Sequence, residues 1–127
     1  MSVNISISNS KGGVGKSTTV LNLGAALAAS DKRVLLVDND VQGNLTAALG
    51  FTPAEQKSAL AKLLLAAIDS PKDVKLYLPR TILHTESGLD LIPANAKLSD
   101  AAARLQVMQL SQHNAVGEAE RPAPARR

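Results

Sequence analysis

Lys11-Gly12-Gly13-Val14-Gly15-Lys16-Ser17-Thr18 is the segment of this chain whose residue types name a chemistry. Glycines at 12, 13 and 15 let the backbone turn sharply and point several N–H groups into one hollow. If a helix opens there, its unpaired donors and its dipole add positive potential, so the hollow binds phosphate. Lys16 supplies a mobile charge for the outer phosphates of a nucleoside triphosphate, and the Ser17 hydroxyl is placed to ligate Mg²⁺. A lysine at a helix start opposes the dipole unless an anion is present. The competing reading is a glycine-rich turn carrying two solvated lysines.

The flanking elements must hold that loop open. Ser2–Asn9 alternates Val3, Ile5 and Ile7 with polar residues and predicts a strand. Thr19–Ser30 sets Val20, Leu23 and Leu27 on one helical face and stops at Ser30-Asp31-Lys32. Val34–Val37 is continuously apolar, as in a parallel strand buried on both faces, and runs into Asp38-Asn39-Asp40. Strand, helix and strand in this order predict a right-handed parallel unit with the phosphate loop at its first turn. Each aspartate is a candidate for the phosphate site, and each could instead cap the turn that follows.

The loop departs from the common G-x-x-x-x-G-K-[ST] pattern, which needs glycine where this chain has Ser10, and it carries a second lysine, Lys11. In this it resembles the deviant Walker A loop of the ParA/MinD family of ATPases. Arg33-Val34-Leu35-Leu36-Val37-Asp38-Asn39-Asp40 followed by Gln42-Gly43-Asn44-Leu45-Thr46 is similar to the aspartate-rich run of ParA-type partition ATPases, with Val41 where proline is usual. Leu89-Asp90-Leu91-Ile92-Pro93-Ala94-Asn95 looks like ParA as well. The resemblance spans about residues 1–100. It implies an α/β fold, a P-loop NTPase-like parallel sheet with flanking helices, that binds ATP and Mg²⁺.

On that resemblance, Lys11, Gly12, Gly13, Val14, Gly15, Lys16, Ser17 and Thr18 bind nucleotide. Lys11 reaches the partner subunit's nucleotide across a dimer interface. Ser17, and Asp38 through water, serve the metal. Asp40 holds the attacking water, and Gln42-Gly43-Asn44 forms a switch sensing the outer phosphate. The family pattern further implies a homodimer around nucleotide, slow hydrolysis on meeting a ParB-like partner protein, and, in full-length members, nonspecific DNA binding and association with the nucleoid.

Composition sets bounds. At 127 residues one domain with a core is possible and two are not. Phe51 and Tyr77 are the aromatic residues, so the core is built from Leu, Ile, Val and Ala, and no platform exists for stacking bases. The absence of cysteine excludes a disulfide framework, a thiolate metal site and a cysteine nucleophile. A net charge of +3 marks no dedicated nucleic-acid module. No basic-then-apolar leader and no apolar run of spanning length is visible, so a cytoplasmic location without membrane contact is the expectation.

Further along, Leu45–Leu49 predicts a short helix, Pro53–Ile68 a longer one with a leucine face, and Thr81–Thr85 and Leu89–Ile92 two strands around Glu86-Ser87-Gly88. Ser99 is a candidate cap for a helix with Leu98, Ala102, Leu105 and Met108 along one side. His84 and His113 have no acid or histidine at ligand spacing. Residues 1–110 are expected to be the N-terminal part of a P-loop ATPase domain, and 111–127 a disordered tail ending in Pro122-Ala123-Pro124.

The family's second phosphate-site strand, which lies between the loop strand and the strand ending at Asp38, has no counterpart here. Val3–Asn9 and Val34–Val37 must then pair directly or leave an open edge, exposing apolar surface in either case. Two functions follow as expectations. One is a partition-type ATPase; the other is a truncated non-catalytic nucleotide-binding protein, or a regulatory partner of a full-length ATPase.

Overall fold

The structure, a computed structural model, describes residues 3–5 and 16–120, with side chains as far as residue 111. The elements are α1 (Lys16–Ala29), β1 (Val34–Val37), α2 (Asn44–Ala48), α3 (Leu60–Asp69), α4 (Val74–Thr81), β2 (Leu83–His84), β3 (Leu89–Ile92) and α5 (Leu98–Glu120), with 3-10 turns at Pro53–Glu55 and Pro71–Asp73. The sheet order is β1-β3-β2. β1 and β3 run parallel, with Leu36 opposite Leu91 and Val37 opposite Ile92, and the Asp38 N–H carries the ladder on to the Ile92 carbonyl at 3.0 Å. β2 joins β3 antiparallel through the tight turn at Gly88, whose φ is +84°. The chain is thus α/β as expected, on a small mixed sheet.

α1 ends because Asp31 takes a left-handed conformation at φ 63°. The Asp31 N–H reaches the Ala28 carbonyl and the Lys32 N–H reaches the Leu27 carbonyl, both at 3.1 Å, which closes a Schellman cap. The chain then enters β1 directly, so α1 runs back along the strand. At about 1.5 Å per residue its length is roughly 21 Å, enough to bring Lys16 to the carboxyl end of the sheet. Gly24 makes the contact possible: a Cβ there would lie 3.3 Å from Leu36 and 3.4 Å from Leu89. Leu36, Leu45, Leu89 and Leu91 form the core on this face, with Val20 and Leu21 of α1 packed against it. Each such buried leucine contributes about 1.5–3 kcal/mol.

A second cluster, Ala61, Ala94, Leu98 and Ala101, joins α3 to α5, where small side chains let the two helices approach closely. α3 starts later than the apolar pattern predicts. Pro53–Ile68 is divided because Ala59 is fully extended (φ −149°, ψ −177°), and the Leu60 N–H is drawn to the Pro93 carbonyl at 2.8 Å. α4 is an element the sequence reading lacks, since Pro79 lies inside it. It is held from outside its own ladder: the Thr81 hydroxyl donates to the Tyr77 carbonyl at 2.7 Å and accepts from Ser58 at 2.6 Å, and Lys62 Nζ sits 4.5 Å from the Tyr77 ring centre. Thr81 accordingly belongs to this helix, and β2 is shorter than Thr81–Thr85.

Three further expectations need correcting. Ser99 does not cap α5; the Asn95 Oδ1 accepts the Lys97 N–H at 3.1 Å, while the Ser99 hydroxyl donates back to the Ala96 carbonyl. α5 continues to Glu120, into the segment read as structureless, because alanine, glutamine and glutamate in 112–120 sustain a helix until Pro122 approaches. The strand expected over Ser2–Asn9 is not formed at residues 3–5, where Val3 and Ile5 are exposed, and its remainder lies outside the described residues. Among the described residues β1 pairs with β3 alone, and Leu35 and Val37 are each 47% exposed.

Two measurements test this packing. Asp31→Gly removes the left-handed strain and should stabilise the fold by about 0.5–1 kcal/mol in denaturant unfolding. On the surface, Arg104 makes two 2.7 Å hydrogen bonds to Asp69, and these bonds hold the Asp69 carboxyl below its ordinary value of 3.8. A depressed carboxylate adds stability above the ordinary value and loses it as pH falls through the lowered one. The stability gap between wild type and Asp69→Asn should therefore be small, as solvent screens the pair, and should close on acidification below 3.8.

Candidate functional site

β1 delivers Asp38 to the carboxyl end of the sheet, where it is only 3% exposed. A carboxylate so placed must find donors. The Thr46 N–H and the Thr46 hydroxyl both donate to its Oδ2, at 2.8 and 2.6 Å. The same hydroxyl oxygen accepts the Ala94 N–H at 3.0 Å, and Thr46 itself is fully buried. One node thus ties the end of β1, the first turn of α2 and the exit of β3. Each hydrogen bond to a charged group in it is worth about 1.5–3 kcal/mol.

Asp40 has a different task. Its Oδ1 accepts the Gln42 N–H at 3.0 Å, and its Oδ2 accepts the Asn44 side-chain amide at 2.9 Å and the Asn44 N–H at 3.4 Å. The Gly43 N–H donates to the Asp40 carbonyl at 2.8 Å. This closes the turn into α2, with Gly43 at φ +70° and tucked so tightly under Pro53 that a Cβ would lie 2.5 Å from the proline ring. Both aspartates therefore hold the turn that follows them, the competing role the sequence left open.

α1 packs on β1 and on α2, the helix that follows Asp38 and Asp40, and Lys16, Ser17 and Thr18 form its start. Lys16 and Ser17 are half-buried and Thr18 is exposed. Lys11, Gly12, Gly13, Val14 and Gly15 lie outside the described residues. No group of three or more His, Cys, Asp or Glu side chains able to hold a metal occurs among the described residues. Ser17 and Asp38 do offer the hard oxygen donors that Mg²⁺ accepts, and Mg²⁺ characteristically keeps several waters.

Sequence reasoning missed Thr46, Gly24 and the role of Asn95. The signal for Thr46 was its place in the first turn of a helix that follows an aspartate-ended strand. Asn95 joins two elements, donating from Nδ2 to the Gln56 carbonyl at 2.8 Å while Oδ1 starts α5. His84 has an acid after all: β2 and β3 place it opposite Asp90, with Nδ1 2.7 Å from Oδ1, a cross-strand pair that linear spacing conceals. His113 lies beyond the described side chains.

Gly43→Ala should cost at least about 1–3 kcal/mol, since a β-carbon meets both an unfavourable backbone and the Pro53 ring. Gly50→Ala carries only the backbone part, because nothing lies within 4 Å of its added carbon. Equal unfolding midpoints for the two variants would contradict the packing of Pro53 on this turn.

A family model described as an AAA domain matches residues 2–119. The chromosome partitioning protein ParA of Caulobacter vibrioides is 45% identical over 98 residues, covering 75% of this chain and 33% of its own length. The sporulation initiation inhibitor protein Soj of Bacillus subtilis is 44% identical over 101 residues, covering 80% and 37%. Cobyrinic acid a,c-diamide synthase of Mycobacterium smegmatis, solved with a bound ATP analogue and magnesium, is similar at a TM-score of 0.66 and 39% identity over 78% of this chain and 37% of that one. Apo McdA of Cyanothece follows at 0.59 and 30% identity, over 77% and 36%. The chain spans about a third of the length of the curated relatives it matches. By its matched sequence and its fold, the chain belongs to the AAA domain family, among the P-loop ATPases of ParA/MinD type.

Proposed function

We propose that this chain is a ParA-like ATP-binding protein of the plasmid or chromosome partition type. The observation that carries the reading is the packing of α1 on β1 and α2. On this proposal that packing brings the α1 start, Lys16-Ser17-Thr18, to the end of the sheet where Asp38 and Asp40 hold the turn into α2. Ligands of open α/β sheets bind at this end. Relatives named for partition, and a neighbouring structure holding an ATP analogue and magnesium, support it.

In this reading the first turn of α1 and Lys16 hold the triphosphate, and Lys16 offsets the charge on its outer oxygens. Ser17 and Asp38 are the residues that would hold Mg²⁺, which supplies further charge neutralisation when bound. Asp40 orients the attacking water, and its hydrogen bonds from Gln42 and Asn44 fix where the carboxylate points. Lys11, acting across a dimer, adds positive charge to the partner's transferring phosphoryl group. A homodimer around nucleotide, a ParB-like protein that stimulates hydrolysis, DNA and a cytoplasmic setting belong to the same proposal. Among the described residues no helix is long and apolar enough to cross a membrane.

The edge of β1 left open among the described residues, with Leu35 and Val37 exposed, favours a second reading in which the chain binds nucleotide without turnover and regulates a longer ATPase. Titration with a fluorescent ATP analogue, alongside a phosphate-release assay, separates the two. The proposal expects Mg²⁺-dependent binding that Lys16→Ala weakens by at least about tenfold. Turnover supports the ATPase, and binding without turnover supports the regulator. A cooperatively folded chain that binds no nucleotide contradicts both.

A further inference from the structure

We infer that Thr46 is a positioning residue for the metal-side carboxylate, and that through it the Asp38 carboxylate is coupled to the exit of β3. This rests on the nucleotide reading of the site. Thr46 is fully buried, and its backbone and side chain converge on a single oxygen, Asp38 Oδ2, at 2.8 and 2.6 Å. Two donors on one oxygen leave the carboxylate little rotation about its terminal torsion, because turning it breaks both bonds together. Oδ1 is therefore held in a fixed direction at the strand end. Metal-side carboxylates depend on such outer hydrogen bonds for their orientation.

The Thr46 hydroxyl is fully committed. It donates to Asp38 and accepts the Ala94 N–H at 3.0 Å, so moving the carboxylate disturbs the turn at Pro93–Asn95. That turn is itself anchored twice, by the Leu60 N–H on the Pro93 carbonyl and by Asn95 on the Gln56 carbonyl. Asp38 is thus linked in two hydrogen bonds to the backbone that anchors the start of α3 and leads into α5.

Thr46→Val keeps the shape and the backbone donor but removes both hydroxyl bonds; Thr46→Ser retains all three. Affinity for a fluorescent ATP analogue is measured with Mg²⁺ and with EDTA. Wild type and Thr46→Ser should bind at least about tenfold tighter with Mg²⁺, and Thr46→Val should lose most of that enhancement while its affinity in EDTA stays unchanged. An unchanged Mg²⁺ enhancement in Thr46→Val overturns the inference, and so does an equal loss in both buffers. A cycle of Asp38→Asn and Thr46→Val in unfolding experiments reads the coupling without nucleotide. A departure of roughly tenfold from multiplicative unfolding constants is expected, and independent effects overturn the inference. A wild type that binds no nucleotide in either buffer refutes the proposed function, while the cycle still decides the coupling.

Discussion

The fold depends on how a buried carboxylate is satisfied. Asp38, at the end of the parallel strand β1, cannot be left without donors, and Thr46, eight residues later in the first turn of α2, meets the requirement. That demand dictates the path of the chain between them. Asp40 and Gly43 form a tight reversal, Pro53 packs over it, and α2 is presented with its first turn facing the strand end. The Ala94 N–H then joins the node, so β3 leaves the sheet where β1 does. Each of these contacts serves stability at the carboxyl end of the sheet.

What the sequence conveyed well was whatever local pattern or residue type determines alone. The strand at Val34–Val37, the short α2 and the Gly88 hairpin are specified by adjacent residues, and all appear in the fold. β1 is not, however, buried on both faces as its continuous apolar run predicts, since Leu35 and Val37 are half exposed. The division of Pro53–Ile68 was illegible because the cause is distant: the Pro93 carbonyl captures the Leu60 N–H from across the domain. α4 was concealed by Pro79, whose helix-breaking tendency is overcome by Thr81, Ser58 and packing on α3. At the site, the residue types of Asp38 and Asp40 were plain, whereas their partners were not. Thr46 becomes visible only once a strand and a helix are placed side by side.

β1 is the element on which stability and function meet. One face packs through Leu36 onto α1; the other leaves Leu35 and Val37 half exposed along an edge that nothing else covers among the described residues. An open edge of this kind is a place for another strand. The matched relatives are more than twice as long as this chain, which covers 33% and 37% of them.

The central claim is that the α1 start and the Asp38–Thr46 node form one nucleotide site. Amide chemical-shift mapping of the chain with a non-hydrolysable ATP analogue and Mg²⁺ tests it directly. The account predicts shifts clustered at residues 16–18, 38–46 and 93–95, absent with the analogue's nucleoside alone. Shifts confined to other surfaces, or none at saturating analogue, would contradict it.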